Sequence, residues 1–242
     1  MTAAMRGEWL KLRTVRSPKV LVAIAVLLTW LIAGLSTRDY DGSGRPVELV
    51  AGAGTLTLVL LLVLGVQMFA QEYRFGTIRT TFTAVPVRRR VVSAKVMVGA
   101  AVGGVTGALA VGGAALVTTI VLSSRGYDLP SNDRLAEVAI AYVIVGALAV
   151  VFGIGVGALT RNPAFGITLV LVLGLVVEPL VSVFTSADVA RGFPLMSGFG
   201  AFPYSFAEGT AFTPWYVSAL VFAAWSSLLV VGGGLMVERR DA

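Results

Sequence analysis

Long apolar blocks make up most of the chain, and polar residues cluster in the short stretches between them. Six blocks are long enough to cross the roughly 30 Å hydrocarbon core of a bilayer as α-helices. Backbone amides in lipid need partners within their own segment, and the blocks lack the polar–apolar alternation of β-barrel strands. We therefore predict an all-α integral membrane protein forming one domain over residues 1–242. The predicted spans are Val20–Ser36, Leu49–Ala70, Val96–Leu122, Val138–Thr160, Ala164–Phe184 and Trp215–Val237.

The composition agrees with this prediction and narrows the chemistry. Of the 242 residues, 57% are hydrophobic and only 13% are charged, whereas soluble domains carry about 25% charge. Cysteine and histidine are absent, which excludes disulfides, a zinc site, a thiol nucleophile and a histidine base. None of the lysines follows a glycine, so there is no Walker A loop to bind ATP. Energy for any transport must come from a partner or from an ion gradient.

The distribution of basic residues predicts how the spans are oriented. Fourteen of the 19 Lys and Arg residues lie before the first span, between the second and third, between the fourth and fifth, or after the sixth. By the positive-inside rule these segments face the cytoplasm. We therefore expect both termini to be cytoplasmic.

Residues 1–19 have the pattern of an amphipathic helix at the membrane surface. Met5, Trp9 and Leu12 share one face at helical spacing. Ser17–Pro18 is expected to end this helix before the first span. A plain basic flank that only sets topology is the alternative. The side chains expected to reach lipid phosphates or bulk water are Arg6, Lys11, Arg13 and Arg16.

The loop 71–95 reads QEYRFGTIRTTFTAVPVRRRVVSAK and predicts a short two-faced helix at the cytoplasmic surface. Gly76 allows a tight turn, Thr77 is expected to cap the helix, and Pro86 ends it. Such a helix suits a protein partner, and a solvated basic loop is the alternative. One side is expected to carry Ile78, Phe82 and Val85, the other side Arg79, Thr80 and Thr81, and the following basic run Arg88, Arg89, Arg90 and Lys95.

Polar residues inside the predicted spans are rare. Glu178, beside Pro179 in the outer third of the fifth span, is either a gate or substrate contact, or an interfacial carboxylate that reaches headgroup water. Gln67 either lines a substrate path or bonds to a neighbouring helix. Small residues at four-residue spacing predict close helix packing within one protomer. They are Gly99, Gly103, Gly107, Gly153 and Gly157.

The stretch 185–214 between the last two spans is rich in Phe, Pro and Gly. Its prolines break it too often for a seventh span, which leaves an interfacial or partly re-entrant segment. We expect it either to cap an exit on the outside or to anchor the protein at headgroup level.

Four motifs occur in order along the chain: EWLKLRTVRS, then E-x-x-x-GTIRTTF-x-x-x-P-x-RRR-x-x-x-x-K, then GALTRNP, then a terminal ERRDA. With six spans between and around them, the chain resembles ABC-2 type transporter permeases, particularly those of high-GC Gram-positive bacteria. The resemblance implies a bacterial plasma membrane protein in which two permease protomers join two separate ATPase subunits. It implies no cofactor on this chain, with ATP and Mg²⁺ bound by the ATPase.

The resemblance also assigns roles to residues. The N-terminal helix would be a connecting helix, with Glu8, Trp9, Lys11 and Arg13. The coupling helix would be Thr77–Ala84, and the second and fifth spans would flank the substrate path, with Gln67 and Glu178 as candidates. Short external helices between the last two spans would cap that path. The expected coupling residues are Glu72, Gly76, Thr77, Ile78, Arg79, Phe82, Pro86, Arg88, Arg89 and Arg90.

The expected function is export of an amphipathic or hydrophobic drug, antibiotic or lipid-like compound, as in multidrug resistance. Three alternatives stay open. An ion-coupled secondary carrier needs protonatable groups at mid-membrane. A membrane-embedded enzyme needs a catalytic constellation at one depth, and Glu178 has no partner in the spans. A non-transporting sensor or immunity subunit would keep the permease fold.

Overall fold

The computed structural model describes residues 2–42, 45–127, 132–204 and 214–240, and every regular element in these ranges is a helix. Six stretches are long and apolar enough to cross a membrane: Arg16–Arg38, Pro46–Arg74, Arg88–Arg125, Arg134–Thr160, Pro163–Phe184 and Trp215–Arg239. The predicted all-α class with six candidate spans is therefore confirmed. The elements are α1 (Thr2–Thr14), α2 (Arg16–Arg38), α3 (Pro46–Gly52), α4 (Gly54–Arg74), α5 (Thr77–Ala84), α6 (Arg88–Arg125), α7 (Asn132–Thr160), α8 (Pro163–Val172), a π-helical segment (Leu173–Val177), α9 (Glu178–Phe184), α10 (Ala187–Arg191), α11 (Pro194–Phe199) and α12 (Trp215–Arg240).

The break between α1 and α2 falls at Val15, which is extended with ψ 136°, and not at the predicted Ser17–Pro18. Pro18 lies in the first turn of α2, where its missing N–H has no helical partner to lose. The prediction placed the break too late because it treated proline as a stop, whereas a proline in the first turn starts a helix well.

Helix α7 lies at the centre of the bundle and packs against α4, α6 and α12. A Cβ on Gly153 would lie 2.2 Å from the carbonyl oxygen of Leu62, and one on Gly103 would lie 2.2 Å from that of Gly146. The backbones therefore touch where these glycines lie, as in other close-packed membrane helices. Packing within one protomer is confirmed, because neighbouring helices of this chain meet Gly99, Gly103, Gly107, Gly153 and Gly157.

The segment between the last two candidate spans folds back onto one end of the bundle. Phe202 is buried and packs edge-on against Tyr142 of α7, with 5.0 Å between the ring centroids. Tyr204 donates a 2.6 Å hydrogen bond to the Glu137 carboxylate, which raises the pKa of Tyr204. Helix α11 packs on α12 in the same region. Residues 205–213 of the predicted segment lie outside the described residues.

Candidate functional site

Helix α5 spans Thr77–Ala84, the range in which the sequence predicts a short two-faced helix. Ile78 is buried and Phe82 packs against the core, whereas Arg79 and Thr80 are exposed. One face of α5 therefore rests on the bundle and the other is open to a partner.

Gly76 forms the turn between α4 and α5, with φ at 68° in the left-handed region. It also occupies the N-cap position, so the predicted capping role of Thr77 is wrong, because Thr77 is already the first helical residue. Pro86 lies in the extended stretch after α5 and is exposed.

Replacing Gly76 by Ala is expected to destabilise the protein by about 1–2 kcal/mol, because a side chain strains left-handed backbone. A Cβ at Gly76 meets no atom within 4 Å, so crowding makes no contribution. Thermal unfolding of the purified protein in detergent would measure the loss, and Gly76→Asn should lose less. Gly7→Ala is the control, since Gly7 is helical with equally open space. Equal losses at both glycines would rule out backbone strain as the cause.

Four charged side chains meet beneath α5 and form what we call the charge cluster: Glu8, Lys11, Glu72 and Lys95. Lys95 Nζ is fully buried and donates to Glu72 Oε1 at 2.5 Å and to Glu8 Oε2 at 2.8 Å. Lys11 Nζ donates to Glu8 Oε1 at 2.7 Å and to Glu72 Oε1 at 2.8 Å. Two ammonium groups thus balance two carboxylates, and the pairing joins α1, α4 and α6.

Thr81 connects α5 to the charge cluster. Its Oγ1 accepts from Lys11 Nζ at 3.3 Å and donates to Glu72 Oε2 at 3.3 Å. The sequence grouped Thr81 with Arg79 and Thr80 on one face of the helix, but the structure separates them, because Thr81 contacts the charge cluster whereas Arg79 and Thr80 are exposed. Four helices therefore share one hydrogen-bonded network.

The Lys11 side chain is 43% exposed and so reaches water, as the sequence predicts, but its ammonium also pairs with Glu8 and Glu72. Burial would lower the pKa of Lys11, but hydrogen bonds to Glu72 and Glu8 outweigh this and place that pKa above its ordinary value. The ammonium therefore stays charged at physiological pH. Trp9 and Arg13 of the same helix are exposed and lie outside the charge cluster.

The basic run after α5 contacts the end of the last helix. Arg88 Nη1 donates to the carbonyl oxygens of Val237 and Glu238 at 3.0 and 3.2 Å, and Arg89 forms a two-bond ion pair with the Glu238 carboxylate. Arg161 donates to a third carbonyl of this turn at 3.0 Å. Carbonyls in the last turn of a helix form the negative end of its dipole and attract cations. These three arginines therefore fix the end of α12.

Exposed residues remain on and around α5, and we call them the α5 outer surface. They combine two cations with apolar and hydroxyl groups, a composition common in protein interfaces. The set comprises Phe75, Arg79, Thr80, Val87 and Arg90.

Gln67 forms a hydrogen bond to a neighbouring helix, which was one of the two interpretations of this residue. Its Oε1 accepts from Ser17 Oγ of α2 at 2.9 Å and from Gln71 Nε2 at 3.2 Å. It also lines a pocket of about 330 Å³ between α1, α2 and α4, next to Glu72. A role in a substrate path stays a prediction.

Glu178 does not reach headgroup water, so that interpretation is wrong. Its side chain is buried, and its carboxylate accepts from Leu195 N at 3.0 and 3.1 Å and from Met196 N at 2.7 Å. These are the free amides of the first turn of α11, which a carboxylate satisfies well. Glu178 therefore ties α9 to α11, directly after the π-helical segment.

Lys95 is the functional candidate whose buried role the sequence did not predict, although it belongs to the basic run. It was placed at the edge of a span, where lysines usually extend towards water. The apolar residues around it, VVSAKVMV, were the signal in the sequence that this lysine is buried.

Among the described residues, no group of three or more Asp or Glu side chains lies close enough together to hold a metal ion.

The six apolar helices define a multi-pass membrane protein. The chain belongs to a transporter family described as ABC-2 family transporter protein, whose sequence pattern matches residues 4–177. Members of this family are permeases that generally work with an ABC ATPase. The match runs from α1 through the π-helical segment and includes all four residues of the charge cluster. None of the curated proteins compared with the chain matches it.

Proposed function

We propose that this chain is the membrane subunit of an ATP-driven exporter in a bacterial plasma membrane, and that a separate ATPase acts on the α5 outer surface. Membership of the ABC-2 family supports a role in transport. The charge cluster is the observation that supports a coupling role for α5. ATP and Mg²⁺ would bind to the ATPase, and two copies of each subunit would form the complex, with both termini of this chain in the cytoplasm.

The contacts of α5 support a mechanical role. The helix has only eight residues, a glycine turn on one side and an extended stretch on the other. Thr81 and the charge cluster link it to α1 and to the ends of α4 and α6. A push on α5 would therefore move these ends together, because separating them means breaking buried ion pairs.

The basic run extends this connection to the last helix. Arg88 and Arg89 begin α6 and bind the end of α12. In the proposed cycle, α6 carries the displacement of α5 to α12, and the bundle rearranges around the central α7. The cargo we propose is amphipathic or hydrophobic, because the candidate spans contain few charged residues that could accompany a strongly charged molecule across the membrane.

Arg79→Ala is expected to abolish stimulation of a cognate ATPase and to slow transport at least about fivefold, the lower end of typical coupling energies. Arg79 is exposed, so its loss should leave thermal stability unchanged. The measurement is ATP hydrolysis and efflux in proteoliposomes that contain this chain and an ATPase encoded beside it.

Arg38→Ala is the matched control, because Arg38 is exposed at the far end of α2. Normal transport by Arg79→Ala would contradict docking at α5. Transport that persists without ATP and collapses with the proton gradient would instead indicate a secondary carrier. A complex that binds the ATPase but moves nothing would indicate a regulatory subunit.

A further inference from the structure

A second site lies on the outside of the bundle, away from the charge cluster. A groove of about 510 Å³ runs along the corner between α1, α2 and α6, a volume within the usual range for small-molecule sites. We call it the α1–α2–α6 groove. Its apolar walls include Val22, Val26, Leu27, Val102 and Leu109.

The charges of this groove lie at one end. Arg13 and Lys19 line it beside Trp9, where α1 meets the start of α2, and both cations are exposed. None of the described residues that line the groove is acidic. Lys11 pairs with Glu8 and Glu72, whereas Arg13 and Lys19 have no carboxylate partner in the described part of the chain, so an anion can approach them.

The length of the groove matches one leaflet of a bilayer. Pro18 and Leu27 mark its two ends on α2, which at 1.5 Å per residue are about 14 Å apart. Half of the hydrocarbon core measures about 15 Å. Trp9 also lines the groove and is 50% exposed, and tryptophan is a residue that favours the membrane interface.

We propose that the α1–α2–α6 groove binds an anionic phospholipid, with its phosphate between Arg13 and Lys19 and one acyl chain along Val22, Val26 and Leu109. A phospholipid has an anionic headgroup followed by apolar tails. The groove has cations at one end followed by apolar walls, so the two are complementary along their length. Basic pockets between membrane helices bind anionic headgroups in this way. The bound lipid would fill the corner between α1 and the spans, and it does not depend on the ATPase-coupling proposal.

Quenching of Trp9 fluorescence tests this directly. The protein would be reconstituted in phosphatidylcholine nanodiscs that contain a low mole fraction of brominated phosphatidylglycerol or brominated phosphatidylcholine. The signal lost in Trp9→Phe isolates Trp9 from the other tryptophans. We expect brominated phosphatidylglycerol to quench Trp9 at a mole fraction about tenfold lower than brominated phosphatidylcholine does, because two cations contribute.

Two variants separate a built site from general attraction. Arg13→Gln/Lys19→Gln should remove the tenfold preference, whereas Arg6→Gln/Arg16→Gln, with the same change in charge outside the groove lining, should keep most of it. Ala23→Phe, which fills the groove without a change in charge, should also remove it.

Three results would overturn the proposal. Equal losses in the two charge pairs would mean diffuse attraction of anionic lipid to a basic surface. An unchanged preference in Ala23→Phe would place the acyl chain elsewhere. The absence of any preference in the unaltered protein would show that no anionic lipid site lies beside Trp9.

Discussion

Replacing Lys95 by Met is expected to destabilise the protein by about 3–5 kcal/mol, the usual cost of removing one partner from a buried ion pair. Lys95 is fully buried and lies between two carboxylates that are themselves almost inaccessible, Glu8 and Glu72. Without Lys95, the one remaining cation is Lys11, which faces both carboxylates from the other side. The cluster would then hold an uncompensated negative charge away from water.

Chemical or thermal unfolding in a fixed detergent would measure this loss. Lys19→Met makes the same substitution at an exposed position and should change stability by less than about 0.5 kcal/mol. Adding Glu72→Gln to Lys95→Met should recover part of the loss, since it restores neutrality. A double variant less stable than Lys95→Met would show that hydrogen bonds of Glu72, and not charge balance, hold this region together.

The existence of the spans could be read from the sequence because hydrocarbon imposes a simple length and composition rule. Their ends could not, because helical hydrogen bonding does not stop where lipid stops. Helix α6 begins at Arg88, well before the predicted Val96, and ends only where Gly126 adopts a φ of 75°. The second predicted span is likewise split, with α3 and α4 meeting at Ala53.

The position of α5 could also be predicted from the sequence, because Gly76 and Pro86 set the two ends of this helix by local backbone rules. The charge cluster was not readable, because it depends on pairing between distant residues. Lys95 and Glu8 are 87 positions apart, and nothing local to either shows that they meet. The same holds for Arg88 and Arg89, whose partners lie at the other end of the chain. Local pattern therefore predicts elements and surfaces, whereas buried partners follow only from the tertiary arrangement.

Replacing Gly107 by Ala is the second change expected to have a large effect, with a loss of about 3 kcal/mol or more in unfolding free energy. The new Cβ would lie 2.1 Å from the carbonyl oxygen of Tyr142 and 2.7 Å from its carbonyl carbon. Both atoms belong to the backbone of α7, so no side-chain rotation can relieve the clash. The helices would have to separate, and α7 also contacts α4 and α12.

Gly112 provides a matched control on the same helix, because a Cβ there meets no atom within 4 Å. Gly112→Ala should be neutral or stabilising by up to about 1 kcal/mol, since alanine has the higher helix propensity. Thermal unfolding of both variants under one set of conditions decides the matter, with size-exclusion chromatography to detect misfolded material. If Gly107→Ala unfolds at the same temperature as the unaltered protein, α6 and α7 are not in backbone contact. Helix α7 would then not be the central helix of the bundle. If it unfolds far earlier while Gly112→Ala does not, the cost belongs to helix contact and not to the loss of glycine itself.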